Sequence, residues 1–274
     1  MKNNTLSGYI LSGGFALLLS TAFSSCDNVA ADDRYLLVDP VVPARVLLIE
    51  DFTGQNCVNC PDAHTIIEEL QKQYGDAIVA VSIHGGSFSI SREKSDLESG
   101  YIGLATPEGE HYNTIFNVSS WPQGMIDRRD GLLDFSSWAS AVRKEIERPA
   151  DLSILLNASL ENGGKEIKID VELIPNEEIE GDLNIWVIES GITARQRSSN
   201  GLIAEYVHEN VFRAAVNGTD GETVSLSPGL HHTGSYTIEV RDNNEECWNP
   251  ENLSVVAFVS SSAGVHQTAC TEVE

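Results

Sequence analysis

Cys57 and Cys60, with Val58 and Asn59 between them and Pro61 after them, are the residues of this 274-residue chain best placed to do chemistry. Two thiols at that spacing can close a reversible disulfide, and the thiolate of such a pair can attack a foreign disulfide. A helix N-terminus stabilises the thiolate through its unpaired N–H groups and dipole. In that setting the first thiol, Cys57, is expected to be exposed and to attack, while Cys60 resolves the mixed disulfide. Two other readings use the same residues. One is a permanent structural disulfide. The other is half of a tetrahedral zinc site, which would need distant partners such as His64 and His84. The sequence holds no second CxxC and no H-x₃₋₅-H, so no metal is assigned.

The elements around the pair are legible from hydrophobic period. Val46-Leu47-Leu48-Ile49 is a strand-length apolar run, as expected of a strand buried on both faces. After the CxxC, Ala63, Ile66, Ile67, Leu70 and Tyr74 recur at helical spacing, and Gly75 stands where that helix would stop. Residues 77–83 read as a second buried strand ending at His84. A polar insertion follows over 85–105, then a short helix around 108–116 and a strand from Gly124. Ser136 and Ser137 are candidate caps for a last helix carrying Trp138, Val142 and Ile146. Past Pro149 the period changes to two. Leu152, Ile154 and Leu156, then Ile167, Ile169 and Val171, then Leu183, Ile185 and Val187 alternate with other residues. Strands without intervening helices predict an antiparallel, Ig-like sandwich over 151–274.

A net charge of −24, from 41 acidic against 17 basic residues, leaves no footprint for nucleic acid. Thr53-Gly54-Gln55 has no partner for a phosphate loop, and no cofactor is assigned. His231-His232 reads as a loop of the sandwich. Residues 1–25 have one early cation, an apolar stretch over 9–23 and Ser24-Ser25 before Cys26. This resembles a bacterial lipoprotein signal, in which Cys26 takes the lipid and residues 26–44 become a tether. The expected place is the cell envelope, lipid-anchored at the outer membrane. Outside the cytoplasm the two cysteines left over, Cys247 and Cys270, are expected to pair as a structural disulfide.

The stretch Leu48-Ile49-Glu50-Asp51-Phe52-Thr53-Gly54-Gln55-Asn56-Cys57-Val58-Asn59-Cys60-Pro61 resembles the strand–CxxC–helix unit of thioredoxins. The resemblance implies a thioredoxin-like α/β domain over 45–150, ahead of the all-β sandwich. It implies a buried carboxylate at Asp51 suited to proton exchange with Cys60, with Glu50 as the alternative if the register shifts. Trp121-Pro122 resembles the approach to that family's cis-proline. Pro122 would then receive an extended substrate beside the cysteines, and Trp121 would face the disulfide. Asn56 before the first cysteine, the Val58-Asn59 dipeptide and the 85–105 insertion depart from the family, leaving reductant, isomerase and oxidant open. Over most of 45–274 the chain also resembles the lipoprotein family related to the 28-kilodalton outer membrane protein of Bacteroidota. That likeness rests on residues 50–54 before CxxC-Pro and on the stretches 206–218 and 248–259. Two functions are consistent with these features. One is thiol–disulfide exchange on cysteine-containing envelope proteins. The other is binding of a surface partner by a thioredoxin-like scaffold with a structural disulfide.

Overall fold

The computed structural model describes residues 44–243 and 245–274. The expected leader, the lipid acceptor Cys26 and the tether as far as residue 43 lie outside the described residues. Strands β1 (Leu47–Thr53) and β2 (Ile78–His84) run parallel, with Leu47 opposite Ile78 and Thr53 opposite His84. Helix α1 (Cys60–Tyr74) joins them. All seven residues of each strand are buried, which is why each reads as an apolar run. Beyond α2 (Pro107–Ile115), β3 (Gln123–Ile126) pairs antiparallel with the free side of β1. The short β4 (Leu133–Asp134) closes that edge and α3 (Trp138–Glu145) follows. The turn before α3 is capped by Asp134, whose carboxylate accepts from the Ser136 N–H at 3.0 Å. Neither Ser136 nor Ser137 takes the expected capping role, because a 3₁₀ turn intervenes before the helix.

After residue 150 the described chain forms strands and no further α-helix. β5 (Leu152–Glu161), β6 (Glu166–Pro175) and β12 (His232–Glu239) make a three-stranded antiparallel sheet. Its inner residues Ile167, Ile169 and Val171 pack on Ile185 and Val187 of β7 (Ile179–Glu189) and on Val255 and Ala257 of β13 (Leu253–Ser261). These latter strands do not belong to a separate sandwich. With β10 (Val211–Ala215), β11 (Glu222–Leu226) and β14 (Gly264–Glu272) they continue the sheet of β1 to β4. The order is β14-β13-β7-β10-β2-β1-β3-β4, with β11 also against β7. The join is parallel, Val211 beside Ser82, and the Ser82 N–H donates to the Asn210 carbonyl at 2.8 Å. The sheet therefore runs through the boundary expected at residue 150.

The reason lies in β7, which is buried on both faces from Leu183 to Glu189. Leu183, Ile185 and Val187 face the three-stranded sheet. Trp186 and Ile188 face a second core with Leu48, Phe52, Val81, Tyr112, Phe212 and Phe258. The opposite face of β1 and β2, with Leu47, Ile49 and Ala80, is covered by α1 and α3 through Ala63, Ile67, Trp138 and Val142. The strands β8 (Ile192–Ser198) and β9 (Gly201–His208) pair only with each other, as a hairpin between β7 and β10.

The expected Cys247–Cys270 bridge does not form; both are free and exposed. Cys270 is on the edge strand β14 opposite Val256. Cys247 is held over β7 and β10, because Glu246 pairs with Arg213 at 3.0 Å and the Asn249 N–H bonds Glu189 at 2.9 Å. β13 stands between them. At about 4.8 Å per strand, two strand spacings exceed the roughly 7 Å that a disulfide can span between Cα atoms.

Candidate functional site

Cys57 and Cys60 are joined in a disulfide with their Cα atoms 5.5 Å apart. Cys60 is the first residue of α1; Asn59 gives no side-chain cap, its carbonyl accepting instead from the Asp62 N–H at 3.1 Å, and Pro61 has no N–H, so the Cys60 end of the helix keeps its positive dipole without a capping side chain. That is the environment that favours a thiolate. The expected exposure of Cys57 is not found, since it is 3% accessible and Cys60 is fully buried.

The cover is the β8–β9 hairpin. Gln196, fully buried, donates from Nε2 to the carbonyls of Cys57 at 2.9 Å and Gly54 at 3.2 Å. The Arg197 N–H donates to the Gln55 carbonyl at 2.8 Å. Gln55 holds the insertion in turn, accepting from the Leu104 N–H at 3.1 Å and donating to the Ile102 carbonyl at 2.8 Å. The loop at 85–89 leans on the same turn, with the Asn56 N–H donating to the Phe88 carbonyl at 2.8 Å. A Cβ on Gly54 would stand 2.8 Å from the Phe88 backbone, so this approach requires glycine.

The choice between the two carboxylates is resolved by the strand alternation. Glu50 points to the core of Trp186 and Phe258, where Arg128 holds it through Nη2 at 2.7 Å and Nε at 2.9 Å. Asp51 points the other way, under the first turns of α1. Its Oδ2 lies 3.3 Å from His64 Nε2, one helical turn beyond Cys60, and no other polar group bonds either oxygen. Burial pushes the Asp51 carboxyl above its usual range, and the His64 contact pulls part of the way back. His64 also bonds Thr53 Oγ1 through Nε2 at 3.0 Å and the Tyr206 hydroxyl of β9 through Nδ1 at 2.8 Å.

Two further histidines complete the cluster. His84 ends β2 and His208 ends β9; both are buried, with ring centroids 5.4 Å apart. None of their four ring nitrogens has a partner in good hydrogen-bond geometry. Burial lowers both, His208 to about 3, and the neighbouring imidazoles push in the same direction. Among the described residues no three His, Cys, Asp or Glu side chains converge to hold a metal ion.

The Trp121–Pro122 peptide is cis, immediately before Gln123, which pairs with Phe52 near the end of β1. The Trp121 ring, expected to face the disulfide, packs on Phe88 at 5.5 Å, and its Nε1 donates to Asn113 Oδ1 at 3.1 Å. Gly86, at φ +70°, leaves no space for a Cβ beside that ring. Trp121 thus adjoins the CxxC turn through Phe88. The structure joins Cys57 to Cys60, sets Asp51 under the same helix against His64, one turn beyond Cys60, places Trp121 against the Phe88 loop that leans on the CxxC turn, and leaves Cys247 and Cys270 apart. The sequence reading assigned no role to Gln196, Tyr206 or His208. Their one signal was that Tyr206 and His208 lie in the family-like stretch 206–218.

The model of a protein family described as outer membrane protein Omp28 matches residues 109–273. No curated protein matches the chain. Among solved structures, HBP35 of Porphyromonas gingivalis shares the fold, with a TM-score of 0.64, 13% identity, and coverage of 84% of this chain and 76% of that one. A domain of the outer membrane lipoprotein Omp28 from Porphyromonas gingivalis is 20% identical over 46% of this chain and 89% of its own, with a TM-score of 0.32. An Agrobacterium tumefaciens protein is 15% identical over 83% of this chain and 94% of its own, with a TM-score of 0.47. The family match spans more than half of the sequence, and it includes both the hairpin that covers the cysteines and the strands that extend the sheet. The chain belongs to the Omp28 family of outer membrane proteins, and its place is the cell envelope.

Proposed function

We propose that this protein performs thiol–disulfide exchange on cysteine-containing proteins of the envelope, through a thioredoxin-like unit formed by residues 45–150. Cys57 attacks, Cys60 resolves and Asp51 exchanges the proton of Cys60. The observation that carries this reading is Asp51. A buried carboxyl with one imidazole for company is costly, and a static disulfide has no use for it. Its position beneath the turn that starts with Cys60 gives it a use. Parallel β1 and β2 around α1, and Pro122 at the start of β3, support the thioredoxin-like reading of this unit.

The test is the reduction potential of the Cys57–Cys60 pair, measured by equilibration with glutathione. We expect a value between about −120 and −270 mV, the range of exchange proteins, and loss of exchange activity in Cys57→Ser. A value below about −300 mV belongs to structural disulfides and would favour the second reading, a surface-binding protein. That reading draws on the burial of Cys57 and on Val58, Leu202, Ile203 and Val207, apolar residues left exposed on the CxxC turn and β9.

Under the exchange reading the hairpin must move before a substrate reaches Cys57. Gln196→Ala removes two bonds from the hairpin to the CxxC turn, each worth about 1 kcal/mol. Reduction of the buried disulfide by dithiothreitol should then accelerate up to about thirtyfold, with little change in the equilibrium potential, because both redox forms lose the same latch. An unchanged rate would mean that the hairpin is not the barrier.

A further inference from the structure

Resolution of a mixed disulfide leaves a proton to be removed from a dry place. Cys60 gives up its thiol proton to Asp51, and its sulfur attacks the Cys57 sulfur. The bond between Cys57 and the substrate sulfur breaks, the substrate leaves as a thiolate and takes a proton from solvent, and Asp51 is left protonated. Asp51 is fully buried, so the carboxyl cannot return that proton to water directly.

We propose that His64, oriented by Tyr206, is the proton outlet of the Asp51–Cys60 pair and discharges into the small cleft between α1 and β9. The proposal rests on the exchange reading. Three observations carry it. Among the described residues His64 is the charged or polar side chain paired with the Asp51 carboxyl, at 3.3 Å, and it is four residues from Cys60 on the same helix face. Its other ring nitrogen is bonded to the Tyr206 hydroxyl at 2.8 Å, which fixes the ring plane and aims Nε2 at Asp51 and Thr53. Beyond the ring lies a cleft of about 60 Å³ lined by His64, Glu68, Ser82, Tyr206 and Glu209. That space has room for a few waters, and Glu68, Ser82, Tyr206 and Glu209 offer polar groups to bind them.

The proton path is then Cys60 Sγ to an Asp51 oxygen, Asp51 to His64 Nε2, and His64 to the cleft through Nδ1 and the Tyr206 hydroxyl. The carboxylate is regenerated as the imidazolium forms. Groups facing His64 suit a transient positive charge: Asp51 and Thr53 from β1, Glu68 from its own helix, and Tyr206 with nearby Glu209 after β9. The rings of His84 from β2 and His208 from β9, both held neutral, complete its surroundings. Burial keeps the Tyr206 hydroxyl protonated up to about 12, so it relays a proton without remaining ionised. His64 is thus a positioning and relay residue, not a group that touches substrate.

The experiment is single-turnover reaction of the reduced protein with dithiobis-nitrobenzoate, in a background with Cys26→Ser, Cys247→Ser and Cys270→Ser. The first chromophore released reports attack by Cys57, and the second reports attack by Cys60 on the mixed disulfide. His64→Gln keeps hydrogen bonds to Tyr206 and Thr53 but takes up no proton. We expect it to leave the first release unchanged and to slow the second about a hundredfold at neutral pH, the lower end of what proton transfer contributes. Its pH profile should move toward alkali, where hydroxide removes the proton. Tyr206→Phe should shift the same profile in the same direction by less. A second release of normal rate and normal pH profile in both variants overturns the relay while leaving exchange intact. A parent protein that gives no second release overturns both the relay and the exchange reading.

Discussion

Replacing Arg128 by Met is expected to cost the fold about 3–5 kcal/mol, the usual penalty for orphaning one member of a buried ion pair. The guanidinium sits between Glu50 of β1, Phe116 after α2, and Phe258 and Ser260 of β13, with ring centroids 5.0 Å away at both phenylalanines. It therefore ties the first strand of the sheet to strands from the far end of the sequence. Without it, Glu50 is left fully buried with no counter-charge. The pair itself is a different quantity from its breakage. Removing both charges together, in Glu50→Gln with Arg128→Met, should recover a large part of the loss, since an apolar or neutral pair has less to desolvate. Urea denaturation of the two single variants and the double variant gives the coupling directly. If Arg128→Met alone is no less stable than the double variant, the ion pair is not what joins the two ends of the sheet.

Much of this architecture is written in local period, and the parts that are not have physical reasons. The apolar run at Leu47-Leu48-Ile49, the helical spacing of Ala63, Ile67 and Leu70, and the alternation of Ile167, Ile169 and Val171 each describe one element and its buried face. Period cannot say which sheet a strand joins. In β7 the alternation of Leu183, Ile185 and Val187 was visible, but Trp186 and Ile188 between them are also apolar. A strand apolar on both faces belongs to the middle of a sheet, and this is the signal that the boundary at residue 150 divides sequence pattern and not the sheet. The site divides in the same way. Cys57, Cys60 and Asp51 come from contiguous sequence and could be placed together by a motif. Gln196, Tyr206 and His208 reach them across about 140 residues, as the Gln196 bond to the Cys57 carbonyl does, and no local rule anticipates a hairpin folding back that far. Cysteine parity suggested a Cys247–Cys270 bridge, but parity carries no distance, and a strand lies between them.

Acid should destabilise this protein through His208 and His84, beginning as the pH falls through about 6.5. Both imidazoles are held neutral in the fold, His208 down to about 3. In the unfolded chain each takes up a proton near its ordinary value, so below about 6.5 the unfolded state binds more protons and gains on the folded one. At 1.36 kcal/mol per pH unit for each such group, His208 alone accounts for a loss of about 2 kcal/mol by pH 5, and His84 adds a loss of the same sign. Asp51 and Asp127 act in the opposite sense. Burial raises their carboxyls, so on acidification the folded state protonates them before the unfolded state does, which favours the fold. The histidine contribution is therefore read as a difference. Between pH 7 and pH 5 the stability of His208→Phe, measured in urea, should fall by about 2 kcal/mol less than that of the parent. Parallel curves would show that His208 titrates normally inside the fold. The consequence need not be global. His208 ends β9, the strand that also carries Tyr206, and its neighbours are His84 and His64. Protonating either ring needs the hairpin to open, and the hairpin pairs with neither larger sheet. Mild acid should accordingly speed the reduction of the Cys57–Cys60 bridge by a neutral phosphine reductant before the sheet itself unfolds. His208→Phe should remove that acceleration.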